Sequence, residues 1–285
     1  MTAVLERPIT FDSASVTVTA VRDMSPHLRR ITFTGPRLAD AVTAGPDQRI
    51  KLFLPPPGRT DLVLPSGDWY PVWLAMPAED RVVMRTYTVR ALRPALAELD
   101  IDFALHGRTG PASAWATDVT VGDRVGDREG GRVGLLLPFA VDTSSVKGLL
   151  QSGVDYVPPA SSVHRLLVAD ETALPALEGI LEQLPPEVTA TAFVEVPDVA
   201  DIRHLPSPAK VDLTWVPHGG SPDGSRPRTV TEAVRTAILP QGIDYAWVAG
   251  ESGMIREVRR HLVANGLAKQ QISFQGYWKR GQAQC

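Results

Sequence analysis

Cysteine is all but missing from this chain: of 285 residues, one is a cysteine, and it is the last, Cys285. A disulfide framework is therefore excluded, as are cysteine-ligated zinc sites and iron–sulfur clusters. A surplus of positive charge is missing too. With 29 Lys and Arg against 32 Asp and Glu, the formal net charge is −3. No global basic field draws a nucleic-acid backbone, although a local basic pocket is compatible with this balance. The chain also lacks a long apolar run. Its start, "MTAVLERPITFD", suggests neither a secretory signal nor a membrane span, so a cytoplasmic protein is expected. The last absence is a GxGxxG turn, without which a dinucleotide held by the usual Gly-rich loop has no support.

What is present divides into two textures. The first half carries short alternating runs closed by Gly or Pro: Ser15–Val21, Arg29–Gly35, Arg49–Pro55, "YTVR" at 87–90 and Leu99–Gly107, with "GDRVGDREGG" as a late strand and its turns. Many short strands with such punctuation predict an antiparallel barrel. From Val163 the chain changes. Continuous apolar runs, "HRLLVAD", "TATAFVEV", "KVDLTWV" and "YAWVAGE", alternate with helical patterns such as "ETALPALEGILEQL" and "SGMIREVRRHLVANG". Buried strands alternating with helices predict an open parallel α/β sheet. The expected division is a barrel over residues 1–140, a mobile interdomain loop over 141–162 and an α/β domain over 163–285. Ligands of such a sheet bind beyond the carboxyl ends of its strands.

Two stretches carry chemistry. In "MRTYTVR" (Met84–Arg90) a strand would project Arg85, Tyr87 and Val89 to one face and Met84, Thr86 and Thr88 to the other. A cation, an aromatic ring and hydroxyls so close together suit a planar anionic ligand, stacked and held by its phosphate. In "HGRTGPASAWA" (His106–Ala116) the chain turns at Gly107 and Gly110 and enters a helix with Pro111 near its first position and small Ala112 and Ser113 in the first turn. Such a start leaves backbone N–H groups open to a pyrophosphate. Read singly, each stretch is equally an ordinary surface strand or helix start.

Together with "VADETALPALEGIL", "WVAGESGMIREVRRHL" and "GYWKRG", in this order, the two stretches resemble the siderophore-interacting protein family of FAD-dependent ferric-siderophore reductases, part of the wider ferredoxin–NADP reductase-like fold. The resemblance covers nearly the whole chain. It implies a Greek-key flavin-binding barrel followed by a nicotinamide-dinucleotide-type domain. It also implies that Arg85 meets the FAD pyrophosphate, that Tyr87 stacks on the isoalloxazine, and that Thr88 and Val89 offer backbone or hydroxyl groups. His106 would lie against the cofactor, with Gly110, Pro111, Ala112 and Ser113 as the phosphate turn. Thr172 and Ala173 would contact the cofactor from the second domain, although Thr172 equally suits a helix cap. Glu251 would face the nicotinamide donor, and Tyr277 or Trp278 would cover the flavin. The chain runs on past these two aromatics to Cys285, which departs from a simple terminal-tyrosine lid.

The implied activity passes electrons from NADH, NADPH or ferredoxin through FAD to a siderophore-bound Fe(III), releasing Fe(II). The isoalloxazine carries that chemistry, so no catalytic dyad or triad is expected. The substrate is a bulky, often anionic chelate, for which Lys51, Lys279 and Arg280 form an expected basic wall. Two alternatives stay open at this point: a general NAD(P)H:flavin oxidoreductase, and a flavin- or siderophore-binding accessory protein without turnover.

Overall fold

A computed structural model describes residues 9–56, 62–65, 68–108, 110–121, 133–140, 153–219 and 229–282. The antiparallel half consists of β1 (Ile9–Ser25), β2 (Leu28–Thr34), β3 (Arg49–Leu54), β4 (Val83–Thr88), β5 (Ala91–Arg93), β6 (Glu98–Ala104) and β7 (Val133–Ala140). Helices α1 (Trp69–Ala75) and α2 (Pro111–Asp118) lie between them. The seven strands run in the order β4-β3-β7-β1-β2-β6-β5. Long β1 serves both halves of this sheet. Ile9–Val16 pairs with β7, and Thr17–Ser25 pairs with β2 across two irregularities that bend the strand. The sheet then curls until Arg90 N, just past β4, donates to Asp100 O on β6 at 2.9 Å. Inside lie Val16, Ile31, Phe33, Leu52, Ile101 and Leu135, all almost fully buried.

The alternation of β3 holds on its inner side, where Ile50, Leu52 and Leu54 enter the core. Its outer side is not uniformly solvated. Phe53, on the same face as Lys51, is fully buried against Trp73, Val82, Met84 and Leu136. The reason is α1, a short aromatic helix that the sequence pattern does not announce and that covers this end of the sheet. The strand around Tyr87 also starts earlier and stops sooner than expected, at Val83 and Thr88. The anticipated strand in "GDRVGDREGG" lies outside the described residues.

The parallel half follows as β8 (His164–Ala169), α3 (Leu174–Glu182), β9 (Thr189–Val196), β10 (Lys210–Pro217), α4 (Val230–Thr236), β11 (Tyr245–Glu251), α5 (Ser252–Ala264) and β12 (Ile272–Trp278). Its order is β10-β9-β8-β11-β12, all parallel, with apolar clusters on both faces. β12 carries the closing "GYW" into the sheet, so those aromatics belong to a strand and not to a loose tail. Gly266, expected to end α5, does so with φ +97°.

Several contacts join the halves. Asp47 of the barrel is buried, and its Oδ2 accepts Asp155 N (3.0 Å), Tyr156 N (2.9 Å) and the Nε1–H of Trp247 (3.2 Å). Residues 153–162 are thus pinned between the domains, with Arg49 N also donating to Gly153 O at 2.8 Å. This corrects the expectation of a mobile loop for that part; residues 141–152 lie outside the described residues. Gly179 of α3 presses on the Pro46 carbonyl, which an added Cβ would meet at 2.6 Å. Finally, an ion network crosses the interface. Arg30 grips Asp102 through two bonds of 2.7 and 2.8 Å, Arg90 reaches Glu178 at 3.0 Å, and Arg203 also binds Glu178.

Glu178 is buried, so removing it strands Arg203 and leaves Arg90 only its bonds to Glu182, in a place that water reaches poorly. Breaking such a pair costs about 3–5 kcal/mol. Urea unfolding of Glu178→Ala is expected to show a loss of that order. Glu98→Ala, which removes only the half-exposed partner of Arg93 at 2.9 Å, should lose no more than about 1 kcal/mol.

Candidate functional site

The ends of β4 and β6 and the start of α2 converge on a cleft of about 450 Å³ between barrel and parallel sheet. Arg85, Tyr87 and Thr88 enter from β4, Asp102 and Ala104 from β6, and His106 from the turn beyond. Gly110–Ser113 close that side. Opposite them stand Glu171, Thr172 and Pro175 between β8 and α3, then Tyr277 and Trp278 at the end of β12.

Each barrel residue is placed by its strand. Tyr87 pairs with Ile50, so it sits on the inner face of the sheet, at its open end. One side of its ring rests on Phe103, centroid to centroid 4.4 Å. Phe103 in turn packs on Trp115, and Trp115 on Phe33. This aromatic column fixes the ring while leaving it half exposed to the cleft. Arg85 donates to Met84 O at 2.7 Å, and no carboxylate among the described residues pairs with it. A half-buried guanidinium without an anion is a place for one. At α2, Gly110 caps the helix and Pro111 is its first residue, as expected. The N–H groups of Ala112 and Ser113 have no acceptor among the described residues. Ser113 itself is buried, and its hydroxyl is spent within the turn: Oγ donates to Gly107 O (2.7 Å) and accepts His106 N (3.1 Å).

The opposite wall is assembled on Asp170. Its Oδ1 accepts Thr172 N (2.9 Å), Thr172 Oγ1 (2.6 Å) and Ala173 N (3.2 Å). Its Oδ2 accepts Glu251 N (2.7 Å) and the Nε1–H of Trp278 (2.8 Å). Asp170, not Thr172, therefore receives the free N–H groups at the start of α3. The neighbouring Gly250 has φ +133°, and a Cβ there would meet the Asp170 carboxyl at 2.4 Å, so only glycine fits. Burial pushes the Asp170 carboxyl up and the five donors oppose it. Glu171 is pushed up to about 8, first by burial, then by the charge of Asp170, with Glu195 and Asp201 adding to it. Both oxygens of Asp170 face donors only, so the proton of this pair resides on Glu171.

A second cavity, about 470 Å³, adjoins the first and shares Arg49, Thr86, Tyr277, Trp278 and Gln282 with it. Lys51 and Lys279 line it together with Arg49. Lys51 Nζ donates to Thr86 Oγ1 at 2.7 Å, and its pKa is lowered, mainly by burial and then by Arg49. Between the two cavities stands Tyr277, which lines both.

Four anticipated residues line neither cavity. The side chain of Val89 is buried in the barrel core, because the ladder has ended and its N–H goes to Gln48 O at 2.8 Å. Ala173 is fully buried under α3. Glu251 caps α5, with Oε2 accepting Gly253 N (2.5 Å) and Met254 N (2.8 Å). Burial would raise its pKa, but these N–H bonds and that of Arg280 outweigh it and hold the carboxylate low. Arg280 lies past the turn that ends β12 and is exposed, with its N–H on Glu251 at 3.2 Å. Conversely, Arg49, Asp102 and Glu171 belong to the site and escaped the sequence reading. Arg49 was legible, since it alternates with Lys51 on one strand. Asp102 alternates with Asp100 along β6 and was legible in the same way, whereas Glu171 gave no periodic signal.

The second half of the chain, residues 163–281, matches the model of the siderophore-interacting protein family, and residues 17–127 match that of the siderophore-interacting FAD-binding domain. The chain is 30% identical to the ferric vibriobactin reductase ViuB of Vibrio cholerae, across 90% of this chain and 86% of that protein. It belongs to the siderophore-interacting protein family. Among solved structures, the siderophore-interacting protein SipS from Aeromonas hydrophila aligns with a TM-score of 0.69 at 32% identity, covering 95% of this chain and 99% of that one. A siderophore utilization protein from T. fusca aligns at 0.74 and 28%, covering 98% of both chains. The fold of this family is therefore the fold expected from the sequence, a flavin-type barrel followed by a parallel nucleotide-binding-type domain.

The raised Glu171 carboxyl has a consequence for stability. An acid whose pKa is higher folded than unfolded opposes folding once it must ionise, so stability falls as pH climbs from about 4.5 to about 8. Glu171→Gln removes that loss. It is expected to melt about 2–4 °C above wild type near pH 8.5 and level with it near pH 5, by calorimetry. A constant offset at both pH values would contradict the shift.

Proposed function

We propose that this chain is an FAD-dependent ferric-siderophore reductase, with the cofactor in the first cleft and the ferric chelate in the second. The observation that carries the reading is the first cleft itself. It unites an aromatic ring backed on one face with a guanidinium that has no carboxylate, and helix N–H groups that have no acceptor, among the described residues, beside a cavity walled by Arg49, Lys51 and Lys279. The residues fit FAD: Arg85 and the first turn of α2 would hold its pyrophosphate, and Tyr87 its ring system. Bound there, FAD would supply the two-electron chemistry that accepts from a nicotinamide donor and delivers single electrons to Fe(III).

The chain's own part is to bind, orient and separate. The Phe103–Trp115 column keeps the Tyr87 ring from turning. Tyr277 and Trp278, the latter held by Asp170, form the partition between the cavities and keep a chelate at its distance. Arg49, Lys51 and Lys279 attract an anionic chelate into a site of reduced dielectric. We take residues 1–140 as the cofactor domain and 163–285 as the donor-side domain. Either NADH or NADPH serves this reading as the source of electrons.

The protein is expected to purify yellow, and heat-denatured protein to release FAD. Release of FMN alone would sink the reading. Tyr87→Ala should weaken FAD retention by about 5- to 150-fold, the worth of one stacked ring. The control is Tyr70→Ala, an exposed ring on α1. Tyr245 would be a poor control, since its buried hydroxyl accepts Val157 N at 3.0 Å.

Lys51→Ala tests the second cavity. It should raise KM for an anionic ferric chelate several-fold, an effect that shrinks with salt, and affect a neutral hydroxamate chelate less. Steady-state kinetics with both chelates decide the matter. An equal response to the two would move the chelate site elsewhere.

A further inference from the structure

Glu171 has no part in the cofactor binding proposed above, yet its carboxyl opens into the same cleft as Arg85, Tyr87 and Tyr277. No side-chain partner among the described residues holds it. Every other acid on this side is committed. Asp170 carries five donors, Glu195 accepts Val230 N at 2.6 Å, and Asp201 accepts His27 N at 3.1 Å beside the imidazole at 2.8 Å. On the barrel side, Asp102 is held bidentately by Arg30. Glu171 is thus the acid of the cleft that can exchange its proton without breaking the fold.

We propose that Glu171 is the proton-coupled group of the cleft, binding one proton from solvent when an electron pair enters and releasing it when the pair leaves. This rests on the reading that FAD occupies the cleft. A hydride brings two electrons and one proton and leaves a nicotinamide donor oxidised, so the cleft gains one net negative charge. Above about pH 8, where Glu171 is ionised before reduction, that charge repels it, and its carboxylate takes a proton from water and becomes neutral. When two ferric ions each accept one electron, the hydride's proton departs with the second, the extra charge is gone, and Glu171 returns its own proton to water. Atoms and charges balance with no further reactant.

The surroundings set the range in which this happens. Asp170 on the same turn, Glu195 on β9 and Asp201 after it all favour the neutral acid. Arg85 on β4 and Arg49 on β3 line the same space and favour the carboxylate, and His106 beyond β6 lines it too. Tyr277 on β12 is pushed up by burial and stays neutral. Burial and the acids prevail, so Glu171 titrates at a mildly alkaline pH and is the carboxyl of the cleft that does so near the working range.

The test uses FAD-loaded protein reduced anaerobically by NADH or NADPH near pH 8.5, with proton uptake read from an indicator dye. Neither donor consumes a proton in forming anionic reduced flavin, so uptake reports on protein groups. Wild type is expected to take up a large fraction of one proton per FAD, and Glu171→Gln almost none at equal FAD content. Glu195→Gln should move the uptake to lower pH without abolishing it, and His106→Gln should leave it in place. In parallel, pH-difference infrared spectra of the protein without reductant should show a protonated carboxyl lost near pH 8 in wild type and absent in Glu171→Gln. Equal uptake by wild type and Glu171→Gln would overturn the proposal, as would no infrared change in wild type between about pH 7 and 9. A protein that carries no FAD would overturn the functional reading, while the infrared arm would still decide whether Glu171 titrates where its surroundings require.

Discussion

The buried carboxylate of Asp170 is the joint on which the second domain's half of the site depends. It stands at the carboxyl end of the central strand β8, and its two oxygens gather the turn into α3, the end of β11 and the indole of Trp278 on β12. Charged acceptors make stronger bonds than neutral ones, and here five converge on one group. The order of strands makes this possible, because β11 and β12 lie beside β8 on one side of the sheet. The same group that shapes the wall also sets its electrostatics. Burial first, and then the charge of Asp170, keep its neighbour Glu171 from ionising at its ordinary pKa. Asp170 thus contributes to both the geometry and the proton affinity of this wall.

A wall is useful only if it is held against the opposite one. The barrel supplies Asp47, whose bonds reach both the strap at 155–156 and Trp247 in the heart of the parallel sheet. Arg90 and Arg30 reach Glu178 on α3, two residues of barrel chemistry anchored on a helix of the other domain. Close packing at Gly179 fixes the separation from the barrel. With a buried polar hub, a charged network and a steric stop at different points, the cleft is defined from three directions. This is the kind of preorganisation that a site for a large planar cofactor requires.

The fold was legible in the sequence because its two periodicities differ. Alternation with Gly and Pro marked the barrel strands, and continuous apolar runs between helical patterns marked the parallel sheet. The cleft was largely legible too. Arg85, Tyr87, His106 and the turn at Gly110–Ser113 are local in sequence and carry chemistry in their residue types. What was not legible depends on contacts far along the chain. Phe53 shares a face of β3 with Lys51 yet is buried, because α1, which has no amphipathic pattern, covers it. Thr172 looked like a cap, but the acceptor is Asp170, which takes the local N–H groups through one oxygen and gathers Glu251 and Trp278 from 81 and 108 residues away through the other. Arg280 looked equivalent to Lys279 until the turn after β12 separated them.

The division of charge between the two cavities follows from the same architecture. The acids Asp170, Glu171 and Glu195 all derive from the carboxyl ends of parallel strands or the turns beyond them, on one side of the first cleft. The cations Arg49 and Lys51 derive from one outer face of β3, where alternation repeats the same sign two residues apart. Lys279 joins them from the end of β12, across Tyr277 and Trp278. The second cavity is thus cationic on its β3 side and the first acidic on its α3 side, with Tyr277 and Trp278, which line both, between them. Such a separation of charge acts before contact and weakens with ionic strength. It is a product of strand alternation and sheet order.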